Sequence, residues 1–323
     1  MEVFNLTLNQ MLVMFIIMLT GYILKKGKFI PDASSAVISK MLAFVISPAL
    51  TLYNQIVMCT PETFTQNSRL ILYGLIIVVV AILISYPLSA LFVRNKDKKP
   101  DLEYQRQIFK YAITFGNFGY MGNYIILGIW GDEMFFKYSM FTFLMNVAVY
   151  AWGICILVPK SQNSRSVWSN LKSGLLTPPM LALVIGMFLG LTRLSQYVPT
   201  FMTTAFKNAG DCMGPMAMFL AGIIIGEYNF SELLRNKKVY FITLLRLIII
   251  PAVFVGMLKL MNIAEDIIIL TLISYATPMG MNTIVFPAAY GGDTKTGASM
   301  TMISTILSVA TIPLMYYIFA VLL

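Results

Sequence analysis

The sequence has no histidine, only three cysteines and few charges: 11% of its 323 residues are charged, against 58% hydrophobic. Each shortage excludes something. Without histidine, the commonest metal ligand and the usual general base near neutral pH are gone. Cys59, Cys155 and Cys212 are odd in number and far apart, which fits neither a disulfide framework nor a Cys-rich metal site. Soluble domains carry about 25% charged residues, so a chain with 11% and a mean hydropathy of +0.78 reads as a membrane protein. Ten crossings of about 20 residues each would occupy most of it. That leaves no place for a soluble catalytic domain, and no cofactor is implied.

What is present is a series of apolar runs bounded by charges or turn residues, at 6–24, 36–58, 69–93, 105–130, 134–158, 175–192, 200–227, 239–260, 265–290 and 296–322. The first run has Glu2 before it and Lys25, Lys26 and Lys28 after it, the reverse of a cleaved leader, and is expected to stay in the mature protein. The net charge of +9 is a topology signal rather than a nucleic-acid footprint. Loops holding Lys25 to Lys28, Arg94 to Arg106, Lys160 to Lys172, Arg235 to Lys238 and Lys295 carry fifteen Lys and Arg. The alternate loops carry four: Arg69, Lys137, Arg193 and Lys259. Short basic loops stay in the cytoplasm, which places both termini outside.

The basic 159–174 stretch then links two halves, 1–158 and 175–323, each with five crossings and opposite orientation. Landmarks recur between the halves. Lys40 and Pro48 in run two are repeated, at the same spacing, by Lys207 and Pro215 in run seven. Run four ends in Trp130-Gly131-Asp132 and run nine in Gly291-Gly292-Asp293, and counting back from the shared Gly-Asp sets Asn117 opposite Pro278. The fold class expected is therefore an all-α membrane protein with ten transmembrane helices in a five-plus-five inverted repeat.

Run four contains Gly116, Asn117, Gly119, Gly122 and Asn123; run nine contains Thr277, Pro278, Gly280, Asn282, Thr283 and Pro287. Proline removes a backbone donor and clashes with the preceding turn, while glycine weakens helix. Both runs are expected to break in mid-membrane. Broken backbone is tolerated there only where it is buried in protein or lines a cavity, so a pair of breaks at equivalent positions marks a binding site. Half-helix N-termini favour an anion, and Asn117, Asn123, Asn282, Thr277 and Thr283 would add neutral hydrogen bonds. The competing reading has the glycines serving only close packing and the Asn and Thr side chains bonding across helices.

Charges within runs stand out, because ionisable groups in a bilayer are costly and often functional. Lys40, Lys110, Lys207 and Arg246 read as side chains near run ends that reach to the surface. Asp211 lies deeper, one turn from Lys207. The two read either as an ion pair or as a coupling or gating site.

Taken together, Pro48-Ala49-Leu50, Asn117-Phe-Gly119-Tyr-Met-Gly122, Pro178-Pro179, Gly214-Pro215-Met-Ala-Met-Phe-Leu, Pro278, Tyr290-Gly291-Gly292-Asp293 and Ser304-Thr305 with Pro313 resemble the auxin efflux carrier family. That family includes bacterial malate and malonate carriers and plant auxin exporters. The resemblance runs over nearly the whole chain. It implies ten helices with both termini outside, helices four and nine broken and crossing, and a scaffold of helices one, two, six and seven against which the others move. Many relatives have Leu-Pro where this chain has Asn123-Tyr124, so the first break must rely on Gly119 and Gly122. The large central loop of many plant exporters is absent.

The function expected is secondary transport of a small organic anion, a mono- or dicarboxylate such as malate or malonate, across a plasma or bacterial inner membrane by alternating access. The partners expected are that anion and the lipid bilayer; a homodimer is compatible with this reading, and nucleic acid is not among the partners. A sodium-coupled symporter of the bile-acid type is the alternative, favoured by an acidic cluster at the crossing, where neither run places a carboxylate. A membrane sensor that binds without transport is a second alternative, opposed by the lack of a signalling domain. An enzyme fits least, with no histidine and no paired carboxylates in the membrane to act as acid and base.

Overall fold

In hydrocarbon every backbone N–H and C=O must be paired within its own segment, which turns long apolar runs into helix. The structure is a computed structural model that describes residues 2–93, 99–158, 167–229, 233–234, 237–289 and 292–322. The described residues are 87% helical and contain no strand, only one isolated bridge between Gly116 and Met279. The helices are α1 (Glu2–Lys26), α2 (Ser34–Met58), α3 (Pro61–Asn67), α4 (Arg69–Phe92), α5 (Pro100–Thr114), α6 (Phe118–Leu157) and α7 (Val167–Leu175). They continue with α8 (Pro178–Leu191), α9 (Thr200–Glu227), α10 (Lys237–Leu260), α11 (Glu265–Ala276), α12 (Asn282–Ala289) and α13 (Thr294–Tyr316). Seven helical stretches are long and apolar enough to cross a membrane: α1, α2, α3 with α4, α6, α9, α10 and α13. Helix α8 is apolar but shorter. Parts of the expected linker (159–166) and of the expected family motif (290–291) lie outside the described residues.

Interruptions in these helices have local causes. Gly131 sits inside α6 at φ 75° and ψ −166°, a conformation closed to residues with a Cβ, and turns the chain where run four was expected to end. Pro48 and Pro251 stand inside helices that do not break. In each, a π turn just upstream, Leu42–Ile46 and Leu245–Ile249, contains the residue four positions before the proline, whose carbonyl the ring would strike. Near Pro215, α9 instead bends at Cys212, between Asp211 and Met213. The repeat-matched prolines Pro48 and Pro215 thus have different surroundings.

The helices meet along two kinds of seam. Where backbones approach closely, glycine is required: a Cβ on Gly21 would strike the carbonyl of Phe219, and one on Gly222 the carbonyl of Met18, so α1 lies against α9 with no side chain between them. Gly74 of α4 meets Phe141 of α6 in the same way, and Gly190 of α8 meets Cys59 beyond the end of α2. Small-residue contacts of this kind replace the hydrophobic drive that lipid does not supply. The second seam is methionine. Met11, Met14 and Met18 of α1, Met121 of α6 and Met218 of α9 converge beside Thr305 of α13.

Candidate functional site

Helix α5 ends at Thr114, and α6 restarts at Phe118; helix α11 ends at Ala276, and α12 restarts at Asn282. The two unwound segments lie antiparallel against each other, joined by the bridge between Gly116 and Met279 and by the Asn117 N–H donating to the Pro278 carbonyl at 2.7 Å. Residues paired by the repeat in the sequence are thus neighbours in space. The approach is close because both strands carry glycine. A Cβ on Gly280 would stand 3.0 Å from the Gly116 carbonyl, and one on Gly116 would strike Arg246 and come within 2.7 Å of Thr277 Oγ1.

Each restarted helix leaves donors unused, as every helix start does. The Asn117 carbonyl accepts from Met121 and Gly122, and Met279 N–H donates to Ser304 Oγ at 2.9 Å. The N–H groups of Phe118, Gly119 and Tyr120, and of Met281 and Asn282, have no acceptor among the described residues. These two starts border a cavity of about 150 Å³. Its wall is the crossing itself together with Ser47 and Thr51 of α2, Ser139, Thr142 and Asn146 of α6, and Thr177, Pro179, Met180 and Leu183 at the start of α8.

Of the residues singled out in the sequence, Asn117, Gly119, Asn123, Gly280 and Asn282 line this cavity. Asn117 is 6% exposed and its side chain makes no hydrogen bond to the described residues, whereas Asn282 Nδ2 donates to Tyr111 Oη at 2.8 Å. Gly122, Thr277, Pro278 and Thr283 do not line it. Thr277 Oγ1 turns back to the Ser274 carbonyl at 3.2 Å and Thr283 Oγ1 to the Gly280 carbonyl at 2.9 Å, so both hydroxyls serve their own backbone. Gly122 makes way for the Tyr138 hydroxyl, and Pro278 offers its carbonyl to Asn117. Lys207 and Asp211 stand apart from the cavity as a pair at 2.9 Å, with side chains 47% and 51% exposed.

Two expectations about charge are corrected. Lys40 and Lys207 are exposed as expected, but Lys110 is 6% exposed, donating to Gln107 Oε1 at 3.2 Å and lying 4.4 Å from the centre of the Tyr86 ring. Arg246 is fully buried. Its Nη1 donates to the Ile113 carbonyl and its Nη2 to the Ser274 carbonyl, each at 3.1 Å, so one guanidinium caps the last turns of both α5 and α11. The ring of Tyr275 lies 4.9 Å from its Cζ, and no carboxylate among the described residues pairs with it. A signal for this was present: Arg246 has two apolar residues directly before it, beyond Thr243, and four after, ahead of Pro251, farther from a polar end than a surface-reaching side chain prefers. The cavity-lining Ser47, Thr51, Ser139, Thr142 and Asn146 carried no such signal. Isolated Ser, Thr and Asn are common on any membrane helix.

The sequence matches the family profile described as "Membrane transport protein" over residues 6–316, nearly the whole chain. It belongs to the auxin efflux carrier family. No curated protein matches it. As a member of this family the chain is a membrane transporter.

Proposed function

We propose that this auxin efflux carrier family member transports small organic anions, mono- or dicarboxylates such as malate or malonate, by alternating access. The observation that carries the reading is the crossing of two unwound segments beside a small, Asn-lined cavity, with the Asn117 side chain buried and unbonded among the described residues. A cavity near 150 Å³ suits a molecule of about benzene size. Half-helix starts and neutral amides suit an anion.

In this reading α5 with the first part of α6, and α11 with α12, each complete one crossing. Ten crossings result, as two five-helix halves of opposite orientation, 1–158 and 175–323, joined by 159–174, with both termini outside a plasma or bacterial inner membrane. Helices α1, α2, α8 and α9 are the scaffold and the remaining helices move. Support comes from the cavity's position, since α2 and α8 form one wall and the crossing with α6 the other. Val149, Tyr150 and Thr177, toward the 159–174 link, also line it, which fits a state facing the cytoplasm.

The test is flux in proteoliposomes with labelled mono- and dicarboxylates, with pH and voltage gradients imposed separately. Saturable uptake of at least one small acid, competed by the unlabelled acid, is expected. Absence of carrier-dependent flux for every acid would reject the reading.

A further inference from the structure

A second cavity, of about 360 Å³, lies away from the crossing at the turn between α10 and α11. Lys259, Asn262 and Glu265 line it, together with the apolar Ile268, Ile269 and Phe319. Lys259 and Glu265 have opposite charges, yet neither is in an ion pair among the described residues. Both suit the helix ends they stand on, but those ends are already answered. The last carbonyls of α10 accept from Met261, Asn262 and Ile263, in a turn closed by Asn262 at φ 52°. At the start of α11 it is the Asp266 carboxylate that accepts the Ile267 N–H and meets Lys137. We propose that this cavity holds the head group of a zwitterionic phospholipid with a primary amine, phosphatidylethanolamine, with Lys259 on its phosphate and Glu265 and Asn262 on its ammonium.

The depth of the cavity fits a head group. Helix α10 is long and apolar enough to cross the membrane, and Lys259 is its last residue but one. Aromatic rings gather at the same end, Trp130 against Tyr316 at 5.6 Å and Phe4 against Tyr317 at 5.4 Å, and Tyr316 stands near enough to Glu265 to feel its charge. Such rings mark the level of the head groups. Val253, Met257, Leu260 and Met261 form an exposed apolar stripe that runs along α10 to the turn, a seat for acyl chains. The charges select the kind of lipid. One lysine and one glutamate sum to zero, as do a phosphate and an ammonium. A lipid of net negative charge would answer Lys259 and leave Glu265 facing an uncompensated anion. A quaternary ammonium is held by a cage of aromatic rings, and Phe319 is the one ring in this lining. A primary ammonium instead brings three N–H donors, which the Glu265 carboxylate and the Asn262 side-chain carbonyl can accept.

The experiment titrates the full-length chain, purified in detergent and stripped of lipid, with short-chain phosphatidylethanolamine, phosphatidylcholine and phosphatidylglycerol, and with acyl-free glycerophosphoethanolamine. Bound lipid is read by mass and by the rise in thermal midpoint that a ligand of the folded state produces. Phosphatidylethanolamine should bind about tenfold more tightly than each of the other three, the worth of one charge-assisted hydrogen bond or more. Lys259→Gln should weaken it by a similar factor. Glu265→Gln should change the choice of lipid rather than abolish binding, moving the preference to phosphatidylglycerol, because the lining then carries one positive charge. If the two side chains serve only their helix ends, both variants lose stability and the lipid preference stays as in wild type. That result, or equal binding of the three lipids by the wild-type chain, would overturn the inference. Equal binding of the acyl-free head group would make the cavity a site for a soluble zwitterion and overturn it as well. Organic-anion transport has its own flux test at a different cavity and stands or falls independently of these outcomes.

Discussion

The two breaks in the crossing occupy equivalent places and are built differently. The first spans three residues, relies on glycine and leaves its asparagine, Asn117, without a side-chain partner among the described residues. The second contains Pro278, spans five residues and is tied down twice, by Met279 N–H on Ser304 and by Asn282 on Tyr111. A break made by glycine keeps its backbone close to a neighbour. A break made by proline gives up a donor and needs outside contacts to hold it. The pair therefore divides the work between a segment with an unused side chain and a segment held by the rest of the protein.

That division can be tested by unequal outcomes. Gly116→Val should have the largest effect, because its side chain would strike Arg246 and crowd Thr277 and the Pro278 carbonyl. A loss of about 3 kcal/mol or more is expected from such overpacking, read as a fall in the thermal midpoint and loss of flux. Asn117→Ala should leave the thermal midpoint unchanged yet weaken substrate by about tenfold to a hundredfold, the worth of a buried hydrogen bond to a charged group. Equal affinity in wild type and variant would place the ligand elsewhere.

Asn282→Ala should show the opposite balance, a stability loss of about 1–2 kcal/mol from stranding the Tyr111 hydroxyl, relieved in the double variant with Tyr111→Phe. Gly119→Ala has nothing within 4 Å of the added methyl and should raise stability by no more than about 1 kcal/mol. Smallest of all, Lys207→Gln and Asp211→Asn should each cost about 0.5 kcal/mol or less, since half-exposed helical pairs contribute little. A large change in pH-driven flux in the Asp211→Asn, Lys207→Gln double variant would return this pair to consideration as a coupling site.

Sequence reading reached the breaks because they rest on local rules. Glycine and proline weaken helix wherever they fall, and the match of Asn117 with Pro278 needed only counting from a shared Gly-Asp. Apart from the two breaks and short turns, the apolar runs fall on helix among the described residues for the same reason. What stayed hidden depended on contacts across the molecule. Lys110 and Arg246 were assigned to the surface because distance along a run stood in for depth, yet α5 and α10 bring them against Tyr86 and Tyr275. Thr277 and Thr283 were placed in the site on residue type. Their hydroxyls could equally serve backbone carbonyls within reach, and they do. Ser47 and Thr51 became visible as cavity residues only when α2 was set opposite the crossing.

The glycine and methionine seams also set different tolerances for the sequence over evolutionary time. At Gly21 or Gly222 any side chain collides with the backbone of the facing helix, so a lineage losing either glycine must shift a whole helix to accommodate the change. Around Met11, Met14, Met18, Met121 and Met218 the contacts are made by flexible thioethers, which exchange with leucine at little cost. Divergence among descendants of this chain should thus accumulate at the methionines and stall at the glycines, leaving Gly21 and Gly222 among the slowest-changing positions away from the crossing.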